Sequence, residues 1–145
     1  ANLVNGLVLS TDNYSEYWMG FWTLHGDVGD FGMIQQLWKG EELPAIAREL
    51  GVPEEVIQAA PTDGLGVIPG GDEAQMGASY KVVDQVLQDL MRQGIDLNSD
   101  PQQLTTFPEI SGIPHTTVRK IAERAIRNAF KRKNPITLSR KELGI

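Results

Sequence analysis

A polar segment near the start of the chain carries the side chains best suited to chemistry. The apolar run Leu7-Val8-Leu9 leads straight into Ser10 to Glu16, together LVLSTDNYSE in one-letter code. The continuous apolar run predicts a strand buried on both faces, as in a parallel sheet. Ligands in open α/β sheets bind beyond the carboxyl ends of the strands, where loops lead into helices. The polar segment therefore lies where a ligand site is expected.

Two interpretations of this segment are open. As a ligand site, Thr11 donates a hydroxyl to an anion, Asp12 or Glu16 holds Mg²⁺ through oxygen, and the next helix presents backbone N–H groups to phosphate. As a helix cap, Asn13 and Glu16 form a capping box and serve the helix alone. The spacing by itself favours the cap.

Other candidate residues are scattered along the chain. Thr23 to Asp30, TLHGDVGD, sets two carboxylates among glycines, a pattern that favours an ordinary turn over a ligand loop. Lys39 and Thr62 carry no signal singly. Lys131-Arg132-Lys133 is a cationic run at the end of the last predicted helix, where it suits the helix dipole or, as the alternative, an anion.

The composition predicts one soluble globular domain. The 145 residues, 41% of them apolar, suffice for a core. With no cysteine, disulfides and thiolate metal ligands are excluded, which suits a reducing compartment. No apolar run approaches the roughly 20 residues of a membrane helix, and the start lacks a basic, signal-like flank. We therefore expect a cytoplasmic protein.

The net charge of −6 conceals a segregation along the chain. Residues 1–118 carry 17 acidic and 4 basic side chains, whereas residues 119–145 carry 2 acidic and 9 basic ones. Such a division suggests either a basic end that meets anions or a pairing of opposite surfaces within or between subunits. The two interpretations stand level.

The hydrophobic spacing predicts one strand and about five helices. Glycines and prolines mark loops at about 60–71 and 98–108, and Pro44 fits its helix only in the first turn. The predicted helices follow Asn13, span Leu43–Leu50, start near Pro53, span Val83–Met91 and span Val118–Ala129. One strand is few for an α/β protein, so we expect the remaining strands to lie outside this sequence.

Six sequence blocks occur in a recognisable order between about Leu7 and Pro135. They are STDNYSE, GFWTLHGDVGD, LWKGEELPAIARELGVPEEVI, PTDGL, DEAQMGASYKVVD and FKRKNP. Together they resemble the ammonia-dependent NAD⁺ synthetase family. The resemblance implies an α/β fold of the adenine-nucleotide hydrolase-like type (N-type ATP pyrophosphatase), present here as a mostly helical C-terminal portion with few strands, and usually a homodimer.

The resemblance also implies a reaction. ATP adenylates the nicotinate carboxylate of deamido-NAD⁺, pyrophosphate leaves, and ammonia displaces AMP to give NAD⁺. Thr11, Lys39 and Thr62 match positions that contact ATP in the family, and Glu16 matches the glutamate placed at Mg²⁺. Asp30 and Lys131 match positions that contact deamido-NAD⁺. The resemblance assigns no catalytic residue beyond these.

The sequence departs from the family pattern in three places. Leu24 replaces a common lysine before the GD loop, and Phe130 replaces the histidine of the usual HKR block. The phosphate-binding SGGxDS motif does not occur in the chain. We therefore expect residues 1–145 to be the C-terminal half of a synthetase-like domain that cannot complete an ATP site alone. The missing part would come from a preceding half. The nitrogen would come either from free ammonia or from a glutaminase partner.

Two alternatives come from other functional classes. One is a non-catalytic dimerisation or regulatory fragment of the same fold. The other starts from ISGIPHTTVRKI, residues 110–121, which looks like a helix-turn-helix able to place Thr116, Thr117 and Arg119 in a major groove. The acidic net charge argues against it, because neutralisation of phosphates supplies most of the affinity for nucleic acid.

A duplex DNA titration at two salt concentrations distinguishes the last alternative. We expect no binding that weakens with salt, because the whole chain is acidic. Salt-sensitive binding that Arg119→Ala abolishes would instead establish a nucleic-acid-binding helix.

Overall fold

Two amphipathic helices packed side by side form the centre of the molecule. The structure is a computed structural model that describes residues 1–26, 29–62, 64, 66, 69–99, 106–133 and 137–144. Parts of three predicted segments, the GDVGD loop (27–28), the PTDGL loop (63, 65) and the loop before the last helix (100–105), lie outside the described residues, as does the end of the FKRKNP block (134–135).

The described residues contain seven α-helices and two short strands, with a single 3-10 turn at Asn2–Val4. The strands are β1 (Leu9–Ser10) and β2 (Phe31–Gly32). The helices are α1 (Tyr14–Met19), α2 (Glu42–Glu49), α3 (Glu54–Ile57), α4 (Gly71–Met76), α5 (Tyr80–Arg92), α6 (His115–Arg127) and α7 (Ala129–Arg132). The mostly helical character with few strands is as expected.

The core is built on α5 and α6, and α1 packs against both. Apolar residues at helical spacing line the facing sides of the two long helices, as the sequence predicts. The fully or almost fully buried ones are Val83, Val86, Leu87 and Leu90 in α5 and Val118, Ile121, Ala122, Ala125 and Ile126 in α6. Met19 at the end of α1 is 0% exposed and completes this core.

Strands β1 and β2 pair in parallel, with Leu9 opposite Phe31 and Ser10 opposite Gly32. The prediction of a strand in a parallel sheet is confirmed, although the strand is Leu9–Ser10 and not Leu7–Leu9. The prediction that it is buried on both faces is wrong for this chain. Leu7, Val8 and Leu9 are 72%, 49% and 58% exposed. Among the described residues β2 is the sole neighbour of β1, and a two-stranded ribbon cannot cover both of its own faces.

Helix boundaries follow local sequence signals where such signals exist. Asn13 caps α1, Pro44 lies in the first turn of α2, and Pro53 directly precedes α3. Helix α4 was not predicted, because no side chain caps its start. The Asp72 N–H in its first turn instead donates to the Pro61 carbonyl at 3.1 Å. That contact joins two segments and leaves no local pattern.

The helix-turn-helix interpretation finds no support in the described residues. Helix α6 begins at His115 after a tight turn in which Ile110 and Ile113 form a bridge. The preceding helix, α5, ends at Arg92, and the described residues between the two helices contain no further one. The motif needs a helix three or four residues upstream.

None of the helices in the described parts has the length and apolar character that crossing a membrane requires.

Two independent features of the fold require glycine at position 20. Its φ of 61° is left-handed, and a Cβ there would lie 2.4 Å from the Asn128 Cβ. Gly51 also has a left-handed φ, 75°, but a Cβ there meets nothing within 4 Å. The Asn128 amide in turn donates to the Met19 carbonyl at 2.9 Å, which ties α6 to the end of α1.

We predict that Gly20→Ala destabilises the protein clearly more than Gly51→Ala. The control bears only the left-handed strain of about 1 kcal/mol, whereas Gly20→Ala adds a clash that must displace Asn128, for a total of roughly 2–4 kcal/mol. Urea denaturation of both variants measures the difference. Equal losses would show that Asn128 moves aside without cost.

Candidate functional site

Glu16 is both a helix cap and part of a buried polar cluster. Its Oε2 accepts the Asn13 N–H at 3.0 Å while the Asn13 side chain accepts the Glu16 N–H at 3.0 Å, so the predicted capping box is present. Its Oε1 accepts the Tyr80 hydroxyl of α5 at 2.9 Å. Burial raises the pKa of Glu16, although these hydrogen bonds and nearby Lys39 oppose the rise. The cap and a ligand role are therefore compatible.

Lys39 reaches the same place from the segment before α2. Its backbone N–H donates to the Ser15 hydroxyl oxygen at 3.0 Å, which anchors the segment to α1. Its ammonium lies 5.9 Å from the centre of the Tyr80 ring, within cation–π range. Two predicted site residues, Glu16 and Lys39, thus meet at one tyrosine.

Asp84 lies one turn after Tyr80 on α5 and is 4% exposed. Its two oxygens accept the Ser15 hydroxyl at 2.5 Å and the Gly40 N–H at 2.6 Å. Burial raises the pKa of Asp84 to about 6, against the lowering effect of those two hydrogen bonds. Its carboxylate therefore joins the residue before Glu16 to the residue after Lys39.

A cavity of about 820 Å³ opens beside this cluster, between α2, α3 and α5. Lys39 and Tyr80 line it on one side, and its walls include Ala47, Val56 and Pro61. Thr62 is exposed directly after Pro61, and its hydroxyl oxygen accepts the Gly64 N–H at 3.1 Å. Thr62 therefore lies close to the rim of the cavity that Lys39 lines.

The other predicted site residues are placed differently. Thr11 is exposed immediately after β1, in line with the prediction that the strand delivers it to an open edge. Asp30 lies at the opposite end of the strand pair, where its carboxylate accepts the Val8 N–H at 2.9 Å and its own N–H donates to the Val8 carbonyl at 2.8 Å. The described contacts do not bring Asp30 to Glu16 or Lys39.

Lys131 binds the end of α1. Its ammonium donates to the carbonyls of Gly20 at 2.8 Å and Trp22 at 2.5 Å, and it lies 5.3 Å from the centre of the Trp22 ring. These carbonyls lead into the GDVGD loop, so Lys131 fixes the base of that loop. Phe130 is 45% exposed, and Leu24 is half-buried.

Two half-buried arginines toward the C-terminal end bind backbone carbonyls and lie over aromatic rings. Arg132 donates to the carbonyls of Trp18, Leu97 and Ala125, and Arg124 donates to that of Gln75. Three ion pairs each join residues six or fewer apart in sequence, namely Arg48–Glu54, Arg92–Asp89 and Arg119–Glu123. Arg132 and Arg124 therefore serve carbonyls near the ends of α1 and α4, and both interpretations of the segregated charge stay predictions.

Ser15, Tyr80 and Asp84 were not predicted from the sequence as site residues. A signal for the last two exists: they are polar residues four apart, and Asp84 directly follows the buried Val83 on the same helix. A polar residue on an otherwise buried helix face must find partners, and this was the observable clue.

The donor set here fits a magnesium ion held partly by a ligand. Among the described residues, no group of three or more His, Cys, Asp and Glu side chains is placed to hold a metal by itself. Mg²⁺ is often bound by one or two carboxylates together with substrate phosphates. A single carboxylate, Glu16, with a lysine nearby matches binding shared with substrate phosphates and not a site made by protein ligands alone.

Comparison with known proteins gives a consistent family. A family model described as NAD synthase matches residues 1–135. The NH(3)-dependent NAD(+) synthetase of Thermoplasma volcanium is 39% identical over 102 residues, covering 70% of this chain and 41% of that protein. The enzyme of the same name from Pyrococcus horikoshii is 33% identical over 144 residues, covering 99% of this chain and 52% of that protein.

Two solved structures are similar in fold. The NMN synthetase of Francisella tularensis has a TM-score of 0.72 at 26% identity, covering 96% of this chain and 49% of that one. The NH3-dependent NAD synthetase of Campylobacter jejuni, in complex with the nitrate ion, has a TM-score of 0.61 at 28% identity, covering 95% and 48%. The chain spans about half the length of these relatives. Its sequence and fold show that it belongs to the NAD synthase family.

Proposed function

We propose that the chain forms part of an ATP-dependent ligase that amidates deamido-NAD⁺ with ammonia to give NAD⁺. The observation that carries the proposal is the meeting of Glu16 and Lys39 at Tyr80, in a chain of the NAD synthase family. A carboxylate and an ammonium held at one point suit a phosphate chain with its cation.

The proposed reaction follows from the chemistry of the carboxylate. A carboxylate cannot expel oxide, so one of its oxygens first attacks the α-phosphorus of ATP and pyrophosphate leaves. Ammonia then attacks the carbonyl carbon of the adenylate, loses a proton, and AMP leaves with the electron pair of the broken C–O bond. Both steps crowd negative oxygens together, which cations and N–H donors stabilise.

The residues of this chain then have separate tasks. Glu16 would hold Mg²⁺, which when bound neutralises phosphate oxygens. Lys39 places its ammonium beside the phosphates, and Thr11 and Thr62 donate hydroxyls to ATP. Tyr80 keeps the Glu16 carboxylate in place. These assignments make the open edge after β1 and the cavity beside Lys39 two parts of one nucleotide site.

Asp30 and Lys131 would serve deamido-NAD⁺. The Asp30 carboxylate is fixed on the Val8 backbone, and Lys131 fixes the Gly20 and Trp22 carbonyls at the base of the same loop. A role for Lys131 through the loop agrees with this geometry better than direct charge contact does. Leu24 cannot supply the charge of the lysine common at its position, so this end of the site relies on the loop backbone.

We further propose that residues 1–145 are the C-terminal half of a synthetase domain of the ATP pyrophosphatase type. The exposed Leu7, Val8 and Leu9 support a sheet that continues on strands outside the described residues. The missing phosphate-binding motif would come with a preceding half, and a glutaminase is an alternative to free ammonia. The complete protein would be a cytoplasmic homodimer.

A second candidate has its own support. Of the two solved structures reported above, the one with the higher TM-score, 0.72, is an NMN synthetase. The same amidation on a nicotinate mononucleotide would need no site for the second nucleotide. The curated relatives, named for NAD⁺ and up to 39% identical in the two cases above, favour the dinucleotide.

The substrate preference of the full-length protein tests the proposed function. We expect the full-length protein, supplied with ATP, Mg²⁺ and ammonia, to convert deamido-NAD⁺ to NAD⁺ with at least a tenfold higher kcat/KM than it converts nicotinate mononucleotide. The intact mass is recorded for the same sample. A reversed preference would establish the mononucleotide candidate. Inactivity on both substrates would instead support the alternative in which the fold has only a dimerisation or regulatory role.

A substitution at Glu16 separates its proposed role in the site from its role in the helix cap. Glu16→Gln retains a side-chain acceptor for the Asn13 N–H but removes the charge that holds Mg²⁺. We expect kcat/KM for ATP to fall at least 100-fold while Tm changes by only a few degrees. Asn13→Ala is the matched control, because it removes the cap at a cost of about 1 kcal/mol and leaves the carboxylate. Greater loss of activity in the control would return Glu16 to a purely structural role.

A further inference from the structure

Helix α5 presents two polar side chains to the candidate site from one buried face. Tyr80 and Asp84 are four residues apart, which places them one above the other on a helix. Both are nearly inaccessible, at 3% and 4% exposure. Their partners belong to α1 and to the segment before α2, the two segments that carry Glu16 and Lys39.

Tyr80 contacts the two charged groups themselves. Its hydroxyl donates to the Glu16 Oε1, and its ring faces the Lys39 ammonium at 5.9 Å. One rigid side chain with two rotatable bonds therefore sets where a carboxylate and an ammonium lie relative to each other. The Tyr80 backbone is fixed as well, since its N–H donates to the Glu73 carboxylate at 2.9 Å.

Asp84 contacts the neighbours of the same two residues. Ser15 precedes Glu16, Gly40 follows Lys39, and the Ser15 hydroxyl also accepts the Lys39 N–H. The fit is close, because a Cβ on Gly40 would lie 2.7 Å from the Asp84 carboxylate and 2.8 Å from the Lys81 Cα. Glycine at this position lets the chain approach α5 closely enough for the bond to form.

We propose that Tyr80 and Asp84 are positioning residues that together fix the separation between the Glu16 carboxylate and the Lys39 ammonium. The inference rests on the proposed function of those two groups toward Mg²⁺ and ATP. Tyr80 holds the side chains, and Asp84 holds the backbone on which they stand. Neither residue needs to touch the reacting atoms.

A purely structural role explains this arrangement poorly. Burying a carboxylate is unfavourable, and the described partners of Asp84 are a hydroxyl and an amide, not a cation. An apolar residue would pack against the neighbouring Val83 and Leu87 at less cost. What the carboxylate provides is two directed bonds to two different segments, and both segments lead to the site.

The first test is Tyr80→Phe, which keeps the ring and removes the hydroxyl. We expect the Mg²⁺ concentration for half-maximal activity of the full-length protein to rise about tenfold, as the loss of one hydrogen bond to a charged group implies. The KM for deamido-NAD⁺ should stay within twofold of wild type. Binding of Mn²⁺ in the presence of a non-hydrolysable ATP analogue, followed by electron paramagnetic resonance, should weaken by the same factor.

The second test is Asp84→Asn, which keeps the shape of the side chain. Its amide N–H would face either the Ser15 hydroxyl or the Gly40 N–H, both of which donate to the carboxylate in the wild type. We expect the KM for ATP to rise about tenfold, with little change for deamido-NAD⁺. Acetylation of Lys39 by acetic anhydride, read by mass spectrometry, should lose part of its protection by the ATP analogue. Both readouts follow Lys39 and not overall stability.

Val86→Ala is the matched control, because it loosens the buried core of α5 without touching the cluster. It should lower Tm while leaving Mg²⁺, Mn²⁺ and ATP dependence unchanged. If it shifts these dependences as far as Tyr80→Phe does, or if either test variant leaves its own readout unchanged, the positioning role is overturned. Absence of product with wild-type protein would reject the proposed ligase, whereas unchanged Mn²⁺ binding in Tyr80→Phe would reject this inference alone.

Discussion

The arrangement of the candidate site depends on the burial of a carboxylate without a cationic partner among its described contacts. Asp84 can remain in the interior because the Ser15 hydroxyl and the Gly40 N–H satisfy its two oxygens. Those bonds require α1 and the segment before α2 to approach α5 closely, and Gly40 permits the approach. Glu16 and Lys39 are adjacent to the bonded residues, so their placement follows from the same constraint.

Local signals in the sequence predict local features well. The capping box at Asn13 and Glu16 and the apolar spacing of α5 and α6 are confirmed, because each depends on residues within one or two turns. The family-derived site residues were found by resemblance, and two of them, Glu16 and Lys39, prove to share a contact, Tyr80.

Features that depend on distant contacts were missed. Helix α4 starts on a bond from Asp72 to Pro61, and β2 exists because Phe31 lies opposite Leu9. The exposure of Leu7 to Leu9 could not be foreseen either, because burial of a strand depends on neighbours that a one-strand pattern does not specify. Tyr80 and Asp84 fall in this class, since the hydrogen-bond partners of their side chains lie more than 40 residues away in sequence.

Glu16 closes the capping box with one oxygen and meets Tyr80 with the other, so the first turn of α1 and the site share a single carboxylate. A cation held by Glu16, as proposed, would compete with the Asn13 N–H for the carboxylate, and a tighter cap would compete with the cation. Linkage makes this coupling reciprocal: whatever free energy the cation takes from the helix start, the helix start takes from the cation. The stability of the six-residue helix α1 and the affinity of the site for its ligand would then change together.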